Sequence, residues 1–138
     1  MRDRINEIML IDDDLATNYL SKYIIDDVGC CENLSVHDMA QDALDDLSRR
    51  IENNDRLPEV IFLDLNMPRI DGWEFLEIYE TLDLSQYSML PDIYVLSTTM
   101  NPQDRLKAES INAVSRFYAK PLTEQILTEV MTHMLQTG

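Results

Sequence analysis

The chain has 138 residues, 45% of them hydrophobic, with 26 acidic against 11 basic side chains and a formal net charge of −15 at pH 7. That length suffices for one domain whose core needs neither disulfides nor a structural metal, and the charge excludes a nucleic-acid or anionic-membrane surface, since both need surplus Lys and Arg. No stretch reaches transmembrane length, Met1-Arg2-Asp3-Arg4 leads into a strand without a signal-peptide core, and the adjacent Cys30 and Cys31 suit neither a disulfide framework nor a zinc site, so a cytoplasmic protein is expected.

The first strand is expected at about residues 5–11, where Glu7-Ile8-Met9-Leu10-Ile11 ends in Asp12-Asp13-Asp14. A helix from about Leu15 to Val28 would place Leu20, Tyr23, Ile24 and Val28 on one face. A second strand follows at about 31–36, then a helix with Asp38 as N-cap and Met39, Ala43, Leu44, Leu47 and Ile51 aligned. Asn53-Asn54-Asp55 reads as a loop. The third strand, about 59–63, is the run Glu59-Val60-Ile61-Phe62-Leu63, ended by Asp64 and the turn signal Leu65-Asn66-Met67-Pro68. Phe75, Leu76, Tyr79 and Leu82 mark the third helix, and Leu82 to Pro91 a loop. The fourth strand is expected at about 92–97. Asn101-Pro102 opens the fourth helix, with an N-cap residue before proline at the first helical position. The fifth strand is expected at about 115–119, and the fifth helix from about Thr123, with Ile126, Leu127, Val130, Met131 and Met134 on one stripe.

Strict alternation of strand and helix predicts an α/β fold: a doubly wound parallel sheet covered on both faces, with the first, third and fourth strands central. Residues 1–138 are read as one domain, since only Gln136-Thr137-Gly138 follows the fifth helix pattern. Ligands of such sheets collect at the carboxyl ends of the strands. Those ends carry Asp12, Asp13 and Asp14, then Asp64, then Ser97-Thr98-Thr99, then Lys120. Converging carboxylates repel one another unless a cation sits among them, and an all-oxygen set suits Mg²⁺ rather than zinc. Hydroxyls and a lysine on the far side suit a phosphoryl group, and a carboxylate facing it can be the nucleophile. Taken singly, these residues have plainer readings: Asp12-Asp13-Asp14 as a turn and N-cap, the part expected of Asp14, and Lys120 as a surface lysine.

In this order and on these strand ends the residues resemble a response-regulator receiver domain, over essentially the whole chain. The resemblance is carried by Asp12-Asp13 after an apolar strand, Phe62-Leu63-Asp64-Leu65-Asn66-Met67-Pro68 with Asp71-Gly72, Val95-Leu96-Ser97, and Lys120-Pro121. It implies the strand order 2-1-3-4-5 and a flavodoxin-like, stand-alone receiver without an output domain. It implies Asp64 as phospho-acceptor, and Asp12, Asp13, Asp64 and the Asn66 backbone carbonyl as Mg²⁺ ligands, with Asp13 direct and Asp12 acting through water. Ser97 corresponds to the switch hydroxyl, with Thr98 as the alternative. Lys120 corresponds to the phosphoryl-pairing lysine, Lys120-Pro121 to a cis peptide, and Phe117 to an aromatic that turns inward on phosphorylation, with simple edge-strand packing as its equal alternative. Asn66 and Thr99 would flank the water path to the phosphoryl group.

The implied partner is a sensor histidine kinase or phosphotransfer protein. The implied output is an undefined downstream protein, with homodimerisation on phosphorylation left open; the only chemistry expected is self-phosphorylation and dephosphorylation. Two departures stand out: Asn112-Ala113 replaces the usual Gly-Ala, and the stretch Asn112 to Phe117 is one residue longer than usual. The alternative is a haloacid-dehalogenase-like phosphatase with an aspartate nucleophile, which normally has a second acid where Asn66 stands. His37 and His133 are read as surface residues, and Asp42, Asp45, Asp46, Glu77 and Glu80 as solvated faces. Trp73 and the methionines are read as core or helix-face filling. Tyr94 and Tyr118 are read as packing or a partner surface.

Overall fold

A computed structural model of the chain describes residues 4–98 and 101–137. Five strands and five helices alternate: β1 Ile5–Ile11, α1 Leu15–Val28, β2 Cys31–His37, α2 Ala40–Glu52, β3 Val60–Asp64, α3 Gly72–Tyr79, β4 Asp92–Ser97, α4 Pro102–Glu109, β5 Val114–Ala119 and α5 Glu124–Thr137. The strands form one sheet in the order β2-β1-β3-β4-β5, every pair parallel. The fully buried β3 is a continuous apolar run because both its faces are covered.

Period-two alternation divides the strand residues between two cores. Met9, Ile11, Ile61, Leu63, Ile93 and Val95 face α2, α3 and α4, packing with Leu47, Phe75 and Ala108. Ile8, Leu10, Val60, Phe62, Tyr94 and Leu96 face α1 and α5, packing with Ile25, Leu127 and Val130. The reversal of strand order beside β1 and β3 opens the crevice at their carboxyl ends.

Several local expectations are corrected. α1 buries Asn18, Ser21 and Ile25, whereas Tyr23 and Leu20 are exposed. Ile24 and Val28 do pack, partly buried, against the core as expected, but the inward stripe also includes polar residues, Asn18 Nδ2 donating to the Asp12 carbonyl at 2.8 Å. Met39, with no side-chain cap bond, is the N-cap of α2 instead of Asp38. Asp46 is buried, and His37 is half-buried beside it with Nε2 2.9 Å from Asp46 Oδ2. Arg50 completes this network, reaching Asp46 Oδ1 at 3.0 Å and both oxygens of Glu7 at 2.8 and 2.9 Å. Burial alone would raise the Asp46 carboxyl, but hydrogen bonds from Arg50 and His37 outweigh it and hold the group below its ordinary value.

The extra residue before β5 has a structural counterpart. Ile93 pairs with Val114 but Tyr94 with Arg116, so Ser115 is a bulge in this edge strand.

Candidate functional site

Two strand ends, those of β1 and β3, bring the acids together. β1 delivers Asp12, whose N–H donates to the His37 carbonyl of neighbouring β2 at 3.1 Å. Asp14 caps α1, accepting from Ala16 N and Thr17 N at 3.0 and 3.3 Å, as expected for an acid at a helix start. β3 delivers Asp64, and its loop is pinned by Gly72, whose N–H donates to the Leu65 carbonyl at 3.0 Å. A Cβ at Gly72 would lie 2.6 Å from both the Asp64 carbonyl oxygen and Leu65 Cα, so only glycine permits this approach. Asp71 caps α3 by accepting from Glu74 N at 2.9 Å.

Asp12, Asp13 and Asp64 each place a carboxylate oxygen within 4.8 Å of the other two. Asp12 and Asp64 are 6% and 5% exposed, while Asp13 is open to solvent. Lys120, at the end of β5, holds its Nζ 2.6 Å from Asp12 Oδ2 and 3.3 Å from Asp64 Oδ1. The Lys120–Pro121 peptide is cis, and the Lys120 N–H donates to the Ser97 carbonyl at 2.8 Å. Asn66 N donates to Asp64 Oδ1 at 3.3 Å. Ser97 is buried at the end of β4 and Thr98 is exposed; Thr99 lies outside the described residues.

Burial, and then the charge of Asp12, push the Asp64 carboxyl above the usual range despite Lys120. Burial opposes the charge on Lys120, but the hydrogen bond and charge of Asp12, then those of Asp64, outweigh it and raise its pKa. An oxygen-only donor set of this kind fits a hard divalent cation such as Mg²⁺.

Of the two readings of Phe117, the structure shows the packing one: the ring is buried in the core beneath α2, α3 and α4. Sequence reasoning also missed Asn18, whose tie to Asp12 gives no periodic signal.

Residues 8–132 match the family described as "Response regulator receiver domain". The two component response regulator from Cytophaga hutchinsonii has a similar structure, with a TM-score of 0.88 and 28% identity, covering 96% of this chain and 98% of that one. The Mn²⁺-bound form of response regulator Rcp1 is similar at a TM-score of 0.68 and 25% identity, covering 94% of this chain and 91% of that one. The sensor histidine kinase CheAY of Helicobacter pylori is 27% identical over 86 residues, a match covering 62% of this chain but only 10% of that protein. With the parallel sheet, the strand-end acids and the lysine on one edge, the match over most of its length makes this chain a member of the response regulator receiver family of two-component signalling.

Proposed function

We propose that Asp64 is the phospho-acceptor of this receiver, taking a phosphoryl group from a phosphohistidine of a sensor kinase or phosphotransfer protein in a Mg²⁺-dependent reaction. The observation that carries the reading is the meeting of Asp12, Asp13 and Asp64 within 4.8 Å, with Lys120 Nζ 3.3 Å from Asp64. An Asp64 oxygen attacks phosphorus in line, and the P–N bond breaks with its electron pair passing to the imidazole nitrogen. Bound Mg²⁺ would neutralise charge on the transferring oxygens. Asp13, open to solvent, would hold the ion together with Asp64 and the Asn66 carbonyl. Asp12 would help hold the ion through water; its Oδ1 accepts from Asp14 N and its Oδ2 from Lys120.

Lys120 moves towards the phosphoryl oxygens, and Ser97, with Thr98 as the alternative, supplies the hydroxyl that binds them. The signal leaves as a population shift of the surface around α4 and β5. The donor docks on α1, where Leu15 and Tyr19, 71% and 72% exposed, form an apolar face with Leu20 and Tyr23 directly after Asp12-Asp13-Asp14. Incubation with acetyl phosphate and Mg²⁺ tests the reading: acid-labile, hydroxylamine-sensitive phosphate should appear on the wild type and be absent from Asp64→Asn. Equal labelling of that variant refutes the assignment, and turnover of a generic phosphate monoester would instead identify a phosphatase.

A further inference from the structure

The peptide joining Asp12 to Asp13 lies just beyond the last paired residue of β1, Ile11, which is matched to His37 on one side and Leu63 on the other. The Asp12 carbonyl has therefore left the sheet ladder while its residue remains buried, and a buried carbonyl needs a donor. Asn18, also buried, supplies one from the start of α1, its Nδ2 donating to that oxygen at 2.8 Å. On the other side of the same residue, the Asp12 N–H donates to the His37 carbonyl at 3.1 Å.

α1 does not need the Asn18 amide for itself. Asp14 caps the helix, and the backbone N–H of Asn18 already donates to the Asp14 carbonyl at 3.0 Å. Asparagine is a weaker helix former than leucine, and position 18 lies on the buried stripe with Ile25, where an apolar side chain would pack. A polar residue kept there is spent on Asp12.

The bond bears on Asp13 more than on Asp12. The Asp12 carboxylate is held at both oxygens, by Asp14 N at 2.9 Å and Lys120 Nζ at 2.6 Å. The Asp13 carboxylate is open to solvent and makes no hydrogen bond or ion pair among the described residues, so its backbone alone aims it. The Asp12 carbonyl and the Asp13 N–H belong to one planar unit, and holding the oxygen sets the direction in which the chain enters Asp13.

We propose that Asn18 is a positioning residue for the Mg²⁺ site: through the Asp12–Asp13 peptide it keeps the Asp13 carboxylate beside Asp12 and Asp64, and so sets the affinity for the ion instead of the rate of phosphoryl transfer. The inference rests on the proposed reading of these three acids as the metal site.

Mg²⁺ titration of the full chain, followed by NMR at the backbone amides of Asp13 and Asn66, tests it. The wild type should give saturable shifts. Asn18→Leu, close to asparagine in size, removes the donor and should bind Mg²⁺ about tenfold more weakly, the loss usual for a group that orients a metal ligand. Its labelling by acetyl phosphate should fall at limiting Mg²⁺ and recover at saturating Mg²⁺. Asn18→Ala should behave alike and serves if the leucine variant does not fold. Ile25→Ala loosens α1 from the core without touching Asp12; it should lower the melting temperature and leave the Mg²⁺ affinity unchanged. Wild-type affinity in a folded Asn18 variant, or an equal loss in Ile25→Ala, would overturn the proposal and leave the metal reading standing. A wild type that shows no saturable shift would overturn the metal reading itself, and this inference with it.

Discussion

Lys120 Nζ lies closer to Asp12 than to Asp64, at 2.6 against 3.3 Å, so its hold on Asp64 is the looser of the two. Replacing it leaves two largely buried carboxylates facing each other. Lys120→Ala should therefore destabilise the chain by about 3 kcal/mol at neutral pH without divalent ions. Urea unfolding measures this, and millimolar Mg²⁺ should restore part of the loss. A midpoint equal to that of the wild type would mean that solvent already screens the pair.

Asp64→Asn should act in the opposite direction. The folded pKa of Asp64 is raised, chiefly by burial, so its ionised form opposes folding once the pH exceeds both that value and the unfolded value of about 3.9. The variant should melt on the order of 4 °C higher at pH 7 without divalent ions, for a gain of about 1 kcal/mol. Added Mg²⁺ should narrow the gap by stabilising the wild type more. Thermal melts with and without Mg²⁺ decide the point.

Asp46 behaves as a favourable acid. Burial alone would raise its pKa, but Arg50 and His37 lower it, so its contribution is complete above an unfolded value of about 3.9 and fades as the pH falls through the lower folded one. Asp46→Asn should cost stability at pH 6 and progressively less below pH of about 4. Urea midpoints from pH 3 to 6 would show convergence; a constant difference would mean that Asp46 contributes by packing alone.

The single tryptophan offers a readout of the site. Lys107 Nζ of α4 sits 4.3 Å from the Trp73 ring centroid, and Trp73 follows the Gly72 that is hydrogen-bonded to the loop after Asp64. Mg²⁺ and beryllofluoride should alter Trp73 emission in the wild type and leave Asp64→Asn unchanged. Lys107→Ala should shift the starting emission by removing the cation from the ring.

The exposed face of α1 predicts a separation of donors. Tyr19→Ser should slow phosphotransfer from the histidine-phosphorylated donor about tenfold, near 1.4 kcal/mol, while labelling by acetyl phosphate stays at the wild-type rate. A parallel fall in both rates would place Tyr19 in folding or chemistry instead of docking.

The elements most legible in the sequence are those where one physical signal dominates. Val60 to Leu63 is apolar throughout because β3 is covered twice, and Asn101-Pro102 carries its own cap. The convergence of Asp12, Asp13, Asp64 and Lys120 was readable because parallel strands put all their carboxyl ends on one edge. The misread residues answer to partners distant in sequence. Asn18 is inward because a carbonyl six residues earlier needs a donor, and Asp46 is buried because β1 and β2 bring Glu7 and His37 to α2. Phe117 left packing and switching equally open in the sequence, and the structure shows its ring packed in the core.

The bulge at Ser115 also keeps count. One extra residue in a regular strand inverts the facing of every residue beyond it, which in β5 would turn Phe117 to solvent and aim Lys120 away from the acids. By taking up the surplus at a single position, β5 stays in phase from Arg116 onward, with Phe117 still opposite Val95 and Ala119 opposite Ser97. The strand thus tolerates an inserted residue at its entrance while its exit remains in strict register, and the lysine arrives on time.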